Sequence, residues 1–315
     1  MDLRQLRYFA AVAEERNFTR AAETLNIAQP PLSRQIQLLE EELGVTLILR
    51  GSRPLRLTDA GRLFHEQALQ VLGRVEQMAE ATRRVGRSQN SVVKIGFVPS
   101  TLYGGLPSLV RKMRHASPGL EIRLVEMVSL QQIHALKEGR IDLGFGRLRH
   151  SDAAVTGLVL REERLAVALP EGHAFAASAA ALPVKALAGQ KLIVYPKEPR
   201  PSYADHVLQL LNGHGVRPSE LEEVSELQTA LGLVAAEVGL CVVPASARRL
   251  RADIRYRILE GAQATSPVVL SHRASDSSPY VALVKRLIEE MYAENPPWLA
   301  PEDNLSVHGS FDTTG

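Results

Sequence analysis

Between Gln29 and Gln37 the sequence QPPLSRQIQ gathers side chains suited to reading a polyanion and its bases. Pro30, Ser33, Arg34 and Gln37 share one face of a helix that starts near Pro30 and Pro31, with Gln29 just before it. A guanidinium donates two parallel hydrogen bonds to a guanine edge, a carboxamide pairs with adenine, and a hydroxyl suits a phosphate. A second group of hydroxyls follows apolar runs: Val98-Pro99-Ser100-Thr101 after VVKIGFV, Val128-Ser129 after EIRLVEM, and Pro201-Ser202-Tyr203 after KLIVYP. Each is a strand-to-helix junction, where free N–H groups at a helix N-terminus face an incoming anion. Arg147, after LGFG, adds positive charge. A hydroxyl in such a place also suits a plain helix cap. Three in one topological role weigh toward a binding site, because the two ends of a dicarboxylate need separate donor clusters.

The elements that position the first group are helical. Prolines are tolerated in a first turn, so a helix begins at Pro30 and Pro31. Leu32, Ile36, Leu39 and Leu43 then form an apolar stripe that Gly44 ends. Upstream, Ala21, Ala22 and Leu25 have helical spacing, and Asn26-Ile27-Ala28 is a turn that joins two crossed helices. Taken alone this is either a helix-turn-helix or an ordinary amphipathic hairpin. The opening segment offers Leu3, Leu6, Phe9, Ala10 and Val12 for packing beneath it. After Gly44, VTLILRGSRPLRLT reads as a small hairpin, a wing whose Arg50, Arg53 and Arg56 suit a phosphate backbone or minor groove; a plain surface loop is the alternative. From Thr58 or Asp59 to about Gly86, Phe64, Ala68, Val71, Val75, Met78, Thr82 and Val85 alternate at spacings of four and three. That seam suits pairing with a second copy of the chain, or packing on the chain's own body.

GRSQN (Gly86–Asn90) reads as a hinge, and beyond it strands alternate with helices. The pattern implies βαβ units and a parallel sheet covered on both faces, arranged as two α/β lobes around a cleft. The segment 295–315 is Pro-rich and aperiodic, and is expected to be disordered. The expected organisation is residues 1–58 as DNA-binding domain, 59–90 as linker helix and hinge, 91–161 plus 266–294 as lobe I, and 162–265 as lobe II.

Composition narrows the function. The chain has 315 residues, with 37 basic against 35 acidic, so net charge argues neither for nor against a polyanion. Through Asn90 every basic side chain other than His is Arg, and the first Lys is Lys94. The one cysteine, Cys241, sits in the apolar run LCVVPA, so neither a disulfide framework nor a metal cluster is expected. No apolar run reaches the ~20 residues of a membrane span, and Met1 to Asn17 lacks a signal-peptide pattern, which predicts a soluble cytoplasmic protein. No G-x-S-x-G, H-E-x-x-H or P-loop occurs, the nine histidines are scattered, and GFGR lacks the third glycine of a dinucleotide fingerprint. An enzyme is therefore not expected, nor any cofactor. A solute-binding protein would share the lobes but need export.

Together the residues LRQLRYFAAVAEERNFTRAAETLNIAQPPLSRQIQLLEEELGVTLILRGSRPLRLTDAG resemble the LysR-type transcriptional regulators. IGFVPSTLYGGLP, HALKEGRIDLGFGRL, YPKEPRPSYADHV and LQTALGLVAAEVGLCVVPAS extend the resemblance to about Trp298, toward the branch that regulates aromatic catabolism in response to cis,cis-muconate, benzoate or chlorinated muconates. The resemblance implies an α/β fold class: an N-terminal winged helix-turn-helix with a long linker helix, then a two-lobed effector domain like a periplasmic binding protein. It implies dimers that assemble into tetramers on promoter DNA, and RNA polymerase as a partner. Its DNA-binding residues fall on Gln29, Pro30, Pro31, Ser33, Arg34, Gln37, Arg53 and Pro54. Its effector residues fall on Ser100, Thr101, Ser129, Arg147, Pro201, Ser202 and Tyr203, with Ser129 where Thr is common and Tyr203 where Phe is common. Arg161 and Tyr292 match a second, apolar effector pocket found in relatives; Arg161 equally suits a surface ion pair with Glu162 or Glu163.

Overall fold

A computed structural model describes residues 1–49, 55–86 and 92–308. The expected wing-tip residues Arg50, Arg53 and Pro54 lie outside the described residues. The chain divides into two compact units, residues 1–88 with 137–140, and residues 89–136 with 141–315.

In the first unit, α1 (Leu3–Glu15), α2 (Phe18–Thr24) and α3 (Gln29–Leu43) surround a core of Phe9, Val12, Ala21, Leu32, Ile36 and Leu39. The helix starts carry local stop-and-start chemistry. Asp2 and Gln5 form a capping box on α1, and the Asn17 carboxamide accepts from the Thr19 and Arg20 amides. Pro30 and Pro31 open α3, and Gly44 ends it at φ 67°, a left-handed turn that glycine adopts without strain. Leu43 departs from the expected stripe: it is 37% exposed, because the core ends one turn earlier at Leu39. Glu40 accepts from the Leu47 and Ile48 amides at 2.8 and 3.0 Å, tying α3 to β1 (Ile48–Leu49), which pairs antiparallel with β2 (Arg56–Leu57).

Then α4 (Asp59–Gly86) follows. Its expected seam divides in two. Phe64 packs edge-on against Phe9 at 5.1 Å, inside this unit's own core. Val71 and Met78 are exposed, as is Leu63 outside the seam.

The second unit strings together β3 (Val92–Phe97), α5 (Leu106–Ala116), β4 (Glu121–Glu126), α6 (Ser129–Lys137), β5 (Leu143–Gly146), β6 (Val155–Pro170), β7 (Leu182–Pro183) and β8 (Lys191–Val194). It continues through α7 (Tyr203–Gly213), β9 (Glu220–Glu223), α8 (Leu227–Ala235), β10 (Leu240–Pro244), β11 (Ile254–Glu260), β12 (Thr265–Arg273), α9 (Pro279–Ala293) and β13 (Asn304–Val307). The main strand order is β4-β3-β5-β12-β6-β10-β8-β9.

Pairing is parallel among β4, β3 and β5 and among β10, β8 and β9, as βαβ units require. The expected all-parallel sheet is corrected at its centre, where β6 and β12 run antiparallel to their neighbours. They do so because they carry the chain between lobes. Up to Arg164, β6 pairs with β12; from Leu165 it pairs with β10, joined by β11 from Ala166. Each lobe has its own core, one around Val93, Ile95, Leu143 and Val284, the other around Val167, Ile193, Leu231 and Val243.

The expected disorder of 295–315 is also corrected within the described residues, with 309–315 lying outside them. From Pro297 to Val307 it forms a 3₁₀ turn and then β13, antiparallel to β6. Asn304 and Asp303, both buried, hold it through hydrogen bonds and an ion pair with Arg248.

Candidate functional site

The exposed face of α3 carries Gln29, Pro30, Pro31, Arg34 and Gln37, with Ser33 half-buried beside them. Leu32, Ile36 and Leu39 anchor the opposite face at full burial, each contributing about 1.5–3 kcal/mol. Ala28 gives the helix no side-chain cap, so its positive end is open to an anion. A guanidinium and three carboxamide or hydroxyl groups thus project from the start of a rigidly seated helix. That arrangement suits a DNA groove.

In the second unit, a cleft of about 290 Å³ collects the ends of β3, β4, β8 and β9 and the helix starts that follow them. Ser100, Ser129, Arg147, Pro201, Ser202 and Tyr203 all line it. Thr101 does not: its hydroxyl turns inward and donates to the Val98 carbonyl at 2.7 Å. Sequence reasoning missed the fourth junction, Ser225-Glu226-Leu227, and the floor residue Tyr195.

Arg147 organises one wall. It is 3% exposed, its Nε donates to Ser100 Oγ at 2.6 Å, and its backbone N–H donates to Ser129 Oγ at 2.9 Å. Both serine oxygens are therefore used as acceptors, which leaves both O–H protons to donate. A carboxylate is the natural acceptor for such a pair. Arg147 Nη2 donates to Glu163 Oε2 at 2.7 Å, while Nη1 is buried without a partner.

Glu163 is 1% exposed and takes a further hydrogen bond from the Ser246 amide at 2.6 Å, with Arg161 Nη2 at 3.6 Å. Burial alone would raise its carboxyl pKa. Arg147, Arg161 and the Ser246 hydrogen bond override that and hold it below the ordinary value. Glu163 thus stays an anion between two buried guanidiniums.

The facing wall begins at Ser202, which caps α7 by accepting from the Ala204 amide, while Asp205 accepts from the Ser202 amide at 2.6 Å. Arg200 braces this turn on Asp205 and Glu223, both at 2.7 Å. Ser202 also donates to the Pro196 carbonyl, so its hydroxyl is committed and it serves chiefly to place the helix start. Tyr203 donates to the Val242 carbonyl at 3.3 Å and packs on Tyr195, with ring centroids 5.2 Å apart. Burial pushes both phenol pKa values up, keeping the floor neutral. The Tyr195 hydroxyl is buried without a hydrogen-bond partner. Glu126 and Glu226 stand exposed at the rim.

Arg161 and Tyr292 also meet, with Arg161 Nη1 3.4 Å from the phenol oxygen. Arg161 is not a surface ion-pair residue, being 3% exposed. The space beside the pair is about 20 Å³, room for about one water. Cys241 is buried, with its thiol pKa pushed up by burial. Among the described residues no cluster of His, Cys, Asp and Glu suits a metal, and no helix is long and apolar enough to cross a membrane.

Residues 3–62 match the model of the bacterial regulatory helix-turn-helix proteins of the lysR family, and residues 86–293 match the LysR substrate binding domain. A probable cat1 operon transcriptional activator from Acinetobacter lwoffii is 67% identical over 299 residues, covering 95% of this chain and 99% of that protein. Among solved structures, the effector binding domain of BenM from Acinetobacter baylyi, with its effector benzoate, is similar at 38% identity and TM-score 0.61, over 66% of this chain and 96% of that one. Full-length CbnR in complex with its target DNA is similar at 29% identity and TM-score 0.66, over 92% and 99% of the respective chains. With both domains matched and a relative of this identity spanning nearly its whole length, the chain belongs to the LysR family of transcriptional regulators.

Proposed function

We propose that this regulator acts mainly as an activator of genes for degrading aromatic compounds, with cis,cis-muconate or a closely related small dicarboxylate as its ligand. The observation that carries the ligand class is the meeting of two donor-poised serine hydroxyls and the Arg147 guanidinium on one wall of a 290 Å³ cleft, opposite the start of α7. One carboxylate is received by Ser100, Ser129 and Arg147 and the other by the Tyr203 amide, the N–H at the α7 start that the Ser202–Asp205 cap leaves free. The likeness to a cat1 operon activator supports the same pathway.

On DNA, α3 enters the major groove with Arg34 and Gln37 toward base edges. Exposed Val71 and Met78 on α4 pair two copies, and two dimers form a tetramer on the promoter, in the cytoplasm and without a cofactor. The ligand then reorients the lobes so that RNA polymerase can engage. It can do so only through differential affinity for the two arrangements.

The test is calorimetric titration of the full chain with muconate. A Ser100→Ala, Ser129→Ala double variant loses two hydrogen bonds to a charged group, each about 1.5–3 kcal/mol, so affinity falls by roughly a hundredfold or more. Unchanged affinity would remove the proposed site. Binding to a promoter fragment, measured from low to high salt, is expected to weaken steeply.

A further inference from the structure

The pocket beside Arg161 is filled from within the chain. Arg161 rises from β6 against the backbone of Gly104, where an added Cβ would lie 2.6 Å from Nη2. Its Nε is buried and has no hydrogen-bond partner. Over the guanidinium lies the indole of Trp298, 5.1 Å from its ring centroid to Arg161 Cζ. Tyr292 meets the same indole edge-on at 5.7 Å. The far end of the ring presses on Gly105, where a Cβ would come within 2.7 Å of it, so only glycine admits the indole there. Leu109, Leu160, Ile288 and Met291 complete an apolar wall, and only about 20 Å³ is left over.

The segment bearing Trp298 is fastened on both sides. Leu299 is buried, and the Asn304 carboxamide donates to the Trp298 and Ala300 carbonyls, both at 3.1 Å. β13 then lies along the Arg161–Glu163 stretch of β6, and the Arg164 amide donates to the Asp303 carbonyl at 2.8 Å.

An apolar pocket with a buried guanidinium holding an unused N–H has the chemistry of a site for a planar aromatic anion. The rings would fill the apolar wall and the carboxylate would take the Nε proton. Here a neutral indole supplies the ring and its π face supplies the counterpart to the cation. We propose that Trp298 is a built-in plug, through which the C-terminal segment keeps this pocket closed to aromatic carboxylates.

The chain has one tryptophan, so its fluorescence reports the plug directly. In the full-length protein the Trp298 emission is expected to be blue-shifted and protected from acrylamide, and to stay unchanged when benzoate is added. In Trp298→Ala the opened apolar cavity is expected to take up both indole and benzoate, with Kd on the order of 1 mM, read as a thermal shift beyond that of the wild type. Trp298→Phe, which keeps a ring in place, is expected to gain much less. The proposal is overturned if benzoate alters the wild-type Trp298 spectrum, or if that emission and its quenching match a free tryptophan amide. It is also overturned if Trp298→Ala takes up neither probe, or takes indole but not benzoate. Should Trp298→Ala fail to fold, the wild-type fluorescence decides alone.

Discussion

Replacing Glu163 with Gln is the sharpest probe of the buried charge chain. The side chain keeps its shape, and its carbonyl oxygen can still accept from one donor. The negative charge is lost, leaving Arg147 and Arg161, at 3% exposure each, without their shared anion. Removing one partner of a buried ion pair costs about 3–5 kcal/mol. The retained acceptor argues for the lower end, about 3 kcal/mol, which corresponds to a fall in Tm of roughly 6–12 °C for a region of this size. The assay is thermal and urea unfolding of the full chain by circular dichroism. The pH dependence has a definite sign. Folded Glu163 has a carboxyl pKa below the ordinary 4.5, so its stabilisation is present above that value and is lost as the pH falls through the depressed folded value. The gap between wild type and Glu163→Gln must therefore close in that acid window and stay open at neutral pH. A loss below about 1 kcal/mol, the same at every pH, would refute the account, because it would make the pair energetically like an exposed one.

Three further outcomes are expected. Arg34→Ala should reduce discrimination between operator and random DNA by about 1–3 kcal/mol in competition binding, whereas an equal loss on both would make Arg34 a phosphate contact. Met78→Glu places a charge on the exposed face of α4, at 63% exposure in a single chain, and should weaken self-association in sedimentation without lowering the effector region's Tm. Tyr203→Phe gives up the hydroxyl that donates to the Val242 carbonyl, so stability should fall by about 0.5–1.5 kcal/mol while muconate affinity is retained; a loss of affinity would show that the hydroxyl itself holds the ligand.

What was legible in the sequence was local. Pro30, Pro31 and Gly44 bracket α3, and the hydroxyls at Ser100, Ser129 and Ser202 do stand where strands give way to helices. Two kinds of feature were hidden. The first eleven residues of β6, VTGLVLREERL, interleave charges that look like solvated surface; they are buried or half-buried because Arg161 and Glu163 neutralise one another across a lobe junction, which no periodicity records. The C-terminal segment has few apolar residues in regular spacing. Its order comes from Asn304, Asp303 and Trp298, whose partners lie on β6, on α9, before α5 and after β10 as well as nearby. Tyr195 was concealed in another way, since KLIVYP reads as a buried strand in which the residue before the proline needs no role.

The charge chain itself demands a reason beyond stability. A buried ion triad is often matched or exceeded in stability by apolar residues of similar volume. Leu or Met at Arg147, Glu163 and Arg161 would therefore fold as well, yet could not receive an anion. Arg147 must be desolvated to bind a carboxylate strongly, and a desolvated guanidinium in an empty cleft is costly. Glu163 offsets that cost in the ligand-free state while leaving Nη1 unused. It sits behind Arg147, where it competes only in part with an incoming anion. The Ser246 amide and Arg161 take up the rest of its charge, so the guanidinium is not fully neutralised. On this argument Glu163→Gln should lower stability without lowering the stabilisation that muconate confers, since the ligand then supplies the only anion Arg147 has. If muconate protected the variant less than the wild type, Glu163 would be placing the guanidinium rather than balancing its charge.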